Sequence, residues 1–520
     1  MKLSPLSRTR LFLSAVLLLT LLASGLVRSA MILTEDTAAI SMIWLLGFTI
    51  LFFNVAYLFV LITVYPWLRT PVLKESAINS YPRTAIVYPI RDEESGVFAR
   101  IFYSLRGNLL PNTDVWILSD SDRRRELFEQ DMAQSLSNVF GGKVFYRRRP
   151  HPLERKQGNL KDFLLEHQEY EFMYVCDGDG MIPAGTLKKL ISKALHPVNQ
   201  DVAIFQSRIQ IIHAKTWYAR FERIGARFAQ TLYFTFAQSV FGRSISFGHH
   251  QLVRTKPFRS IELPKGLLSH DNWDTVLLDQ MGWRVCFVTD TVAFDEAPSN
   301  YLEARARDRR WSRGTLQGIP LIFERGITPA SRFLAFYGIY LYLAQFIFFF
   351  WVILGIYANS FLAGRLIDFR MNTVWSGYFT NTILHGLLFT TLAVVFGHKL
   401  VLVRSLKDLW QYLYELVFST LLVLNNCLYQ TLDIMSLPFR SGKVSWKPMT
   451  KDPFQRVSLG MCARAFWPTT VCGLYGLWFC LAQMPHFTWQ VSPILLAMTI
   501  SIPAAYLTSG RIPEHMARWI

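Results

Sequence analysis

The apolar positions of this 520-residue chain fall into two regimes. Toward both ends they form long unbroken runs, Leu11 to Val27, Ile40 to Val64, Phe333 to Ala358, Thr382 to Val403 and Phe466 to Met484. Each is about as long as the ~18 residues that cross a bilayer. Pro493 to Leu507 is a shorter run of the same kind, so the pattern predicts six spans. From about Tyr81 to Arg325 the pattern changes to short β-rich runs alternating with helical periodicity, as in a soluble α/β domain. The predicted strands are TAIVYPI (84–90), DVWILSD (114–120), KVFYRR (143–148), FMYVCD (172–177), VAIFQS (202–207) and WRVCFVTD (283–290). They are apolar runs without strict alternation, the signature of parallel strands covered on both faces. Three end in aspartate, Asp120, Asp177 and Asp290, and carboxylates collected at strand ends line a crevice unless each merely caps the next helix.

Charge orients these segments. Lys2, Arg8 and Arg10 keep the N-terminus inside, whether the first run is a cleaved signal or a retained helix. The second run returns the chain, so the α/β region is expected in the cytoplasm. Lys399, Arg404 and Lys407 precede the segment Leu409 to Met435, and Arg440, Lys443, Lys447, Lys451 and Arg456 follow it. A segment between two inside loops does not cross once, and Asn425, Asn426, Gln430 and Asp433 suit a helix lying in the interface. The loop from Met484 to Gln490 carries no Lys or Arg and belongs outside. The expected organisation is therefore two N-terminal membrane helices (1–68), a cytoplasmic α/β domain (69–328), a helix pair (329–408), an interfacial helix with a following loop (409–461) and a C-terminal pair (462–520).

A net charge of +17 with 51% hydrophobic residues changes this picture little. In a polytopic chain excess Lys and Arg mark inside loops and anionic headgroups, and no base-reading motif accompanies them, which excludes nucleic acid as a partner. Six cysteines without a CxxC pair exclude a disulfide framework or zinc site and suit a reducing compartment.

Candidate chemistry sits in the α/β region. In YEFMYVCDGDGMIP (170–183) a strand delivers Asp177 and Asp179, separated by one glycine, to its carboxyl edge, offering two hard oxygen ligands for a metal and phosphate; a surface turn has the same composition. VYPIRDE (87–93) and ILSDSD (117–122) place Asp120 where a base N–H could be accepted or a helix capped. ERKQGN (154–159) offers Lys156 as a point cation for a diphosphate, with Gly158 permitting close approach, or is a solvated basic loop. In LLSHDNWD (267–274) Asp271 begins a helical pattern and is either a proton acceptor for an attacking hydroxyl or a carboxylate beside the dipole. RARDRRWSRGT (305–315) brings Arg310 and Trp311 to a cationic helix before the membrane, which positive-inside bias alone would also produce.

Taken in order, these motifs resemble the processive family 2 inverting glycosyltransferases, the group that includes cellulose and hyaluronan synthases. RRRPHPLERKQGN, SFGHHQLVR, LLSHD, the EAPSNYLEARARDRRW block and VSWKP followed by SIPAAYLTSGR are similar to the bacterial branch that makes osmoregulated periplasmic glucans, over most of residues 80–510. The resemblance implies an α/β GT-A glycosyltransferase domain inserted between α-helical transmembrane segments of the bacterial inner membrane. It implies UDP-glucose as donor, a growing glucan chain as acceptor, Mg²⁺ or Mn²⁺ as cofactor, and membrane lipids and a periplasmic glucan-processing protein as further partners. Asp120 would contact uracil, Lys156 the UDP, Asp177 and Asp179 the metal and diphosphate, and Asp271 would be the catalytic base. Arg310 would meet the pyrophosphate, Trp311 the acceptor sugar, and Gly248 and His249 would line the acceptor site. Where the family has glutamine this chain has Arg307, and the long N-terminal extension of that branch is not found. The segment 440–451 is expected to act as a gating loop, with Lys443, Trp446 and Lys447 closing over bound UDP. Two other readings remain beside this one: a related synthase of another polysaccharide or a lipid-linked sugar, and a transporter or scaffold whose soluble domain binds nucleotide without chemistry.

Overall fold

The computed structural model describes residues 4–31, 38–361, 374–437, 456–483 and 485–520. Two long helices, α1 (Pro5–Ala30) and α2 (Ala38–Val64), lead into the α/β domain. Its elements follow as β1 (Thr84–Ile90), α3 (Gly96–Leu105), β2 (Thr113–Ser119), α4 (Glu126–Val139), β3 (Val144–Arg148), α5 (Arg155–Glu166), β4 (Phe172–Val175) and α6 (Thr186–Leu195). Then come β5 (Val202–Ile212), α7 (Trp217–Ala229), α8 (Thr235–Phe241), β6 (Gln251–Arg254), α9 (Thr255–Arg259), α10 (Asp271–Gln280), β7 (Arg284–Glu296) and α11 (Tyr301–Leu316). The remaining helices are α12 (Pro329–Phe361), α13 (Val374–Gly397), α14 (Leu406–Phe418), α15 (Leu424–Met435), α16 (Leu459–Gln483), α17 (Pro485–Thr499), α18 (Ser501–Thr508) and α19 (Glu514–Ala517).

One seven-stranded sheet runs in the order β3-β2-β1-β4-β6-β5-β7, and β6 alone is antiparallel to its neighbours. Both faces are covered, which is why the strands read as continuous apolar runs. Ile86, Tyr88 and Ile90 of β1 pack toward α3 and α6, while the alternate Ala85 and Val87 face α5. The six strands expected from sequence are present, but β6 was not foreseen: Gln251–Arg254 sets only Leu252 and Val253 between polar ends, whereas the equally short β4 is apolar throughout. Asp290 corrects a second expectation. β7 continues through it to Glu296, and its carboxylate pairs with Lys189 (2.8 Å) and the buried Lys193 (2.9 Å) instead of facing a crevice.

Five helices among the described residues are long and apolar enough to cross a membrane: Pro5–Ser29, Ala38–Trp67, Pro329–Tyr357, His385–Leu402 and Leu459–Gln483. The sixth expected span is divided between α17 and α18 at Ile500. The domain is keyed to these helices by α8, whose Phe236, Val240 and Phe241 are buried among Phe12 and Val16 of α1, Leu61 of α2 and Phe333 of α12. Burial of large aromatic side chains contributes roughly 1.5–3 kcal/mol each, so α8 is a firm anchor and not a surface embellishment.

Candidate active site

A cavity of about 1010 Å³ opens at the carboxyl ends of β1, β2 and β4, the edge at which open α/β sheets receive ligands. Its walls continue along α7, α10 and α11 to Gly338, Leu341 and Tyr342 of α12 and to Tyr429 and Asp433 of α15. Asp120, Lys156, Asp177, Asp179, His249, Asp271, Arg310 and Trp311, drawn from six separate stretches of sequence, all line it. Gly248 sits at its edge beside Asp271.

The Asp177–Gly–Asp179–Gly turn fits its surroundings through its glycines. A Cβ on Gly180 would lie 2.3 Å from the ring of buried His250, and one on Gly178 would crowd the side chain of Glu93 at 3.1 Å. Lys156, in the first turn of α5, is hydrogen-bonded to Asp177. His249 stands 4.0 Å from the other Asp177 oxygen, its Nε2 lies 3.1 Å from Asp295, and its Nδ1 lies 2.8 Å from the Phe247 carbonyl. Both ring nitrogens thus face acceptors, so the ring is held as a doubly protonated imidazolium. Burial opposes that charge, but Asp177 and Asp295 outweigh it and carry the pKa up to about 9. Reciprocally, the enclosed Asp177 carboxyl is held below the usual range by Lys156 and His249 despite its desolvation. Arg310 adds a third cation, which burial and the neighbouring Arg307 destabilise and Asp177 and Asp179 favour. The result is a pair of carboxylates ringed by positive charge, suited to a metal-bound diphosphate.

Do these residues fit a divalent cation? Asp177 and Asp179 present hard oxygen donors on one cavity wall, which suits Mg²⁺ or Mn²⁺. His249, His250 and Asp295 form a second group whose ligand atoms lie within 4.8 Å of one another. As arranged, however, His249 has both nitrogens committed to hydrogen bonds, so the aspartates are the better donors.

Asp271 is the first residue of α10. Ser269 Oγ donates to its Oδ2 at 2.9 Å, and His270 Nε2 lies 3.7 Å from its Oδ1 while His270 Nδ1 is bonded to Asp274 at 2.6 Å. Gly248, at φ +75°, lets the chain pass directly over this carboxylate: a Cβ there would lie 2.1 Å from Asp271 Oδ1. Gly248→Ala therefore combines left-handed backbone strain of about 1–3 kcal/mol with a clash at the carboxylate. Its expected outcome is a loss of turnover on the order of 10²-fold with donor affinity kept, measured by steady-state kinetics and nucleotide titration.

Asp120 lines the cavity with both oxygens engaged. Arg149 grips them bidentately, Nε to Oδ1 at 2.8 Å and a terminal nitrogen to Oδ2 at 2.6 Å, and reaches Asp162 at 2.8 Å. Both partners are only 6% exposed. A nucleobase would meet this ion pair and not a lone carboxylate. Since removing one partner strands a buried charge, Arg149→Met should cost about 3–5 kcal/mol of stability, with much of it recovered in the Asp120→Asn/Arg149→Met double variant. Chemical unfolding of the four proteins measures the coupling.

Trp311, 46% exposed, has one face covered by the Arg307 guanidinium at 4.3 Å. Arg307 is itself clamped by Glu222 (3.0 and 3.1 Å) and Asp308 (2.9 Å), leaving the other face of the indole for a ligand. Glu222 and Asp295, like Arg149, carried no signal in the sequence. α11 is fastened to α15, where Tyr301 bonds Asn426, Arg309 pairs with Asp433 at 2.9 Å and Arg305 lies over Tyr429 at 3.4 Å. Lys443, Trp446 and Lys447 of the expected gating loop lie outside the described residues.

The strand order, the single reversed strand and the carboxylates at the sheet's carboxyl edge define a mixed α/β domain with a ligand crevice, set between apolar helices. A family model described as glycosyl transferase family 21 matches residues 139–396. Similar proteins include glucans biosynthesis glucosyltransferase H of Pseudomonas putida (strain W619), 27% identical over 476 residues, and its namesake from Pseudomonas entomophila (strain L48), 28% identical over 476 residues. Each alignment covers 82% of this chain and 54% of the relative, so the chain spans about half the length of the curated relatives it matches. Among solved structures, mannosyltransferase PcManGT from Pyrobaculum calidifontis, in complex with GDP-Man and Mn²⁺, superimposes with a TM-score of 0.46 at 14% identity, covering 71% of this chain and 99% of that one.

Proposed function

We propose that the protein is an inverting, processive membrane glucosyltransferase that takes glucose from UDP-glucose and extends a β-glucan of the osmoregulated periplasmic kind. In this reading the domain faces the cytoplasm and the helices lie in the bacterial inner membrane. The observation that carries it is the sharing of one cavity: the cation-ringed Asp177 and Asp179 occupy the same space as Asp271 and the half-open face of Trp311. The namesakes of the matched relatives support the glucan assignment.

The chain's own groups account for the chemistry. Lys156, Arg310 and His249 hold the diphosphate, and Trp311 presents an apolar face on which an acceptor sugar stacks. Asp271 takes the proton of the acceptor hydroxyl as its oxygen bonds to the anomeric carbon; the bond from that carbon to the diphosphate breaks, and UDP leaves with the electron pair. A single displacement converts the α-linked donor to a β product. A divalent cation held by Asp177 and Asp179 would supply Lewis acidity for the leaving diphosphate. The buried setting strengthens each of these charges relative to water.

Because the cavity reaches α12, both a growing polymer and a lipid-borne sugar have room to enter from the membrane side. Purified protein in vesicles, supplied with labelled UDP-sugars and Mg²⁺ or Mn²⁺, separates these cases. Label from UDP-glucose entering a water-soluble β-glucan is expected. Label extracted wholly into organic solvent would replace the polymer by a lipid acceptor, and no transfer from any UDP-sugar would remove the reading.

A further inference from the structure

Helix α7 has two faces of opposite use. Phe221, Glu222, Gly225 and Ala226 line the cavity, whereas Arg220, Arg223 and Arg227, three and four residues apart, point to the other side. There Arg227 meets Arg208 of β5, which is bonded to Thr231 at 3.1 Å, while Arg208 and Arg404, two residues before α14, both act on Tyr65. Burial, followed by the neighbouring arginines, depresses the pKa of Arg208, Arg220 and Arg223. Among the described residues one carboxylate pairs with this group: Asp408, 3.0 Å from Arg227 and 3.3 Å from the Arg404 backbone nitrogen. The Nε atoms of Arg220 and Arg227 are buried without a hydrogen-bond partner. Five guanidinium groups against one carboxylate, with Arg208, Arg220 and Arg223 half withdrawn from water and Arg404 exposed at the edge, are a site short of an anion.

The surroundings say which anion. The cluster lies where spans end, beside Tyr65, which directly follows α2, and against α14, which follows the span His385–Leu402. α14 runs antiparallel to α7, with Tyr414 bonded to the Trp217 carbonyl at one end and Asp408 paired with Arg227 at the other. Its outward stripe, Leu406, Trp410, Leu413 and Val417, is 63%, 52%, 39% and 54% exposed, at the spacing of one helical face. Such a helix lies in the bilayer interface with that stripe in the acyl region. The arginines beside it are then at headgroup depth.

We propose that the outer face of α7, with Arg208 and Arg404, binds the phosphate of an anionic phospholipid. Guanidinium forks match phosphate oxygens bidentately, which distinguishes a held lipid from a diffuse attraction to the membrane. Since the same helix forms the cavity wall with its other face, the bound lipid would brace the site.

The test is native mass spectrometry of the full chain released from nanodiscs holding equal phosphatidylglycerol and phosphatidylcholine, paired with thermal unfolding. Retained phosphatidylglycerol is expected on the wild type. Retention should fall about fivefold in Arg404→Gln and roughly 25-fold in Arg220→Gln/Arg223→Gln, at about a factor of five per arginine near an anionic surface. Phosphatidylglycerol should raise the wild-type Tm and leave that of the double variant unchanged. Equal retention of the two lipids, or undiminished retention in the variants, would overturn the proposal. Inorganic phosphate giving the same Tm rise without lipid would overturn it in favour of a soluble anion. Should the double variant not fold, Arg404→Gln, altered only at an exposed side chain, decides by the same fivefold criterion.

Discussion

Replacing Asp271 by Asn should abolish glucan formation while leaving UDP affinity within about threefold of wild type. Asparagine has the shape of aspartate and can still accept from Ser269 Oγ, so α10 and the loop under Gly248 should hold their positions. What is lost is the ability to accept a proton, and general-base catalysis is worth about 10²–10⁴-fold. In the proposed reading Lys156 and the aspartates of the turn hold the nucleotide, away from the acceptor hydroxyl, so binding has no reason to change. Turnover is read from labelled product, affinity from UDP titration. A variant that keeps more than a few per cent of wild-type turnover would sink the assignment of the base.

The second large effect is expected at Asp179. If Asp179 holds the cation as proposed, Asp179→Ala removes a hard oxygen ligand, and the metal-dependent part of UDP binding should fall by about tenfold or more. Asp177→Ala should act less directly, because Asp177 is also the partner of Lys156 and lies close to His249; its loss frees those cations to meet the diphosphate themselves. UDP titration with and without Mg²⁺ or Mn²⁺ measures both. An unchanged metal response in each variant would place the metal elsewhere, with the group of His249, His250 and Asp295 the next to be examined.

These residues were legible because each sits at a local event: the end of an apolar run for Asp177, the start of a helical pattern for Asp271, a cationic helix before a membrane run for Arg310 and Trp311. What could not be read depends on pairing across the chain. β2 and β3 align Ser119 with Arg148, and that register is what carries Arg149 to Asp120; nothing in either stretch announces it. His249 was legible only through resemblance, as an acceptor-lining residue; its ion pair forms because β7, running on through Asp290, brings Asp295 to its ring. Asp290 misled for the complementary reason, a turn-like TDT sequence where the strand only shifts register opposite Ser207 and Arg208. The anchor helix α8 was hidden because Phe236, Val240 and Phe241 form too short a stripe to stand out beside the membrane runs.

The most direct test of the account is the configuration of the newly made bond. With UDP-α-glucose as donor and the wild-type protein in vesicles, nuclear magnetic resonance of the isolated product should show β-linked glucose only, none of it formed by Asp271→Asn. An α-linked product, or transfer that persists without the Asp271 carboxylate, would contradict a single displacement driven from that residue.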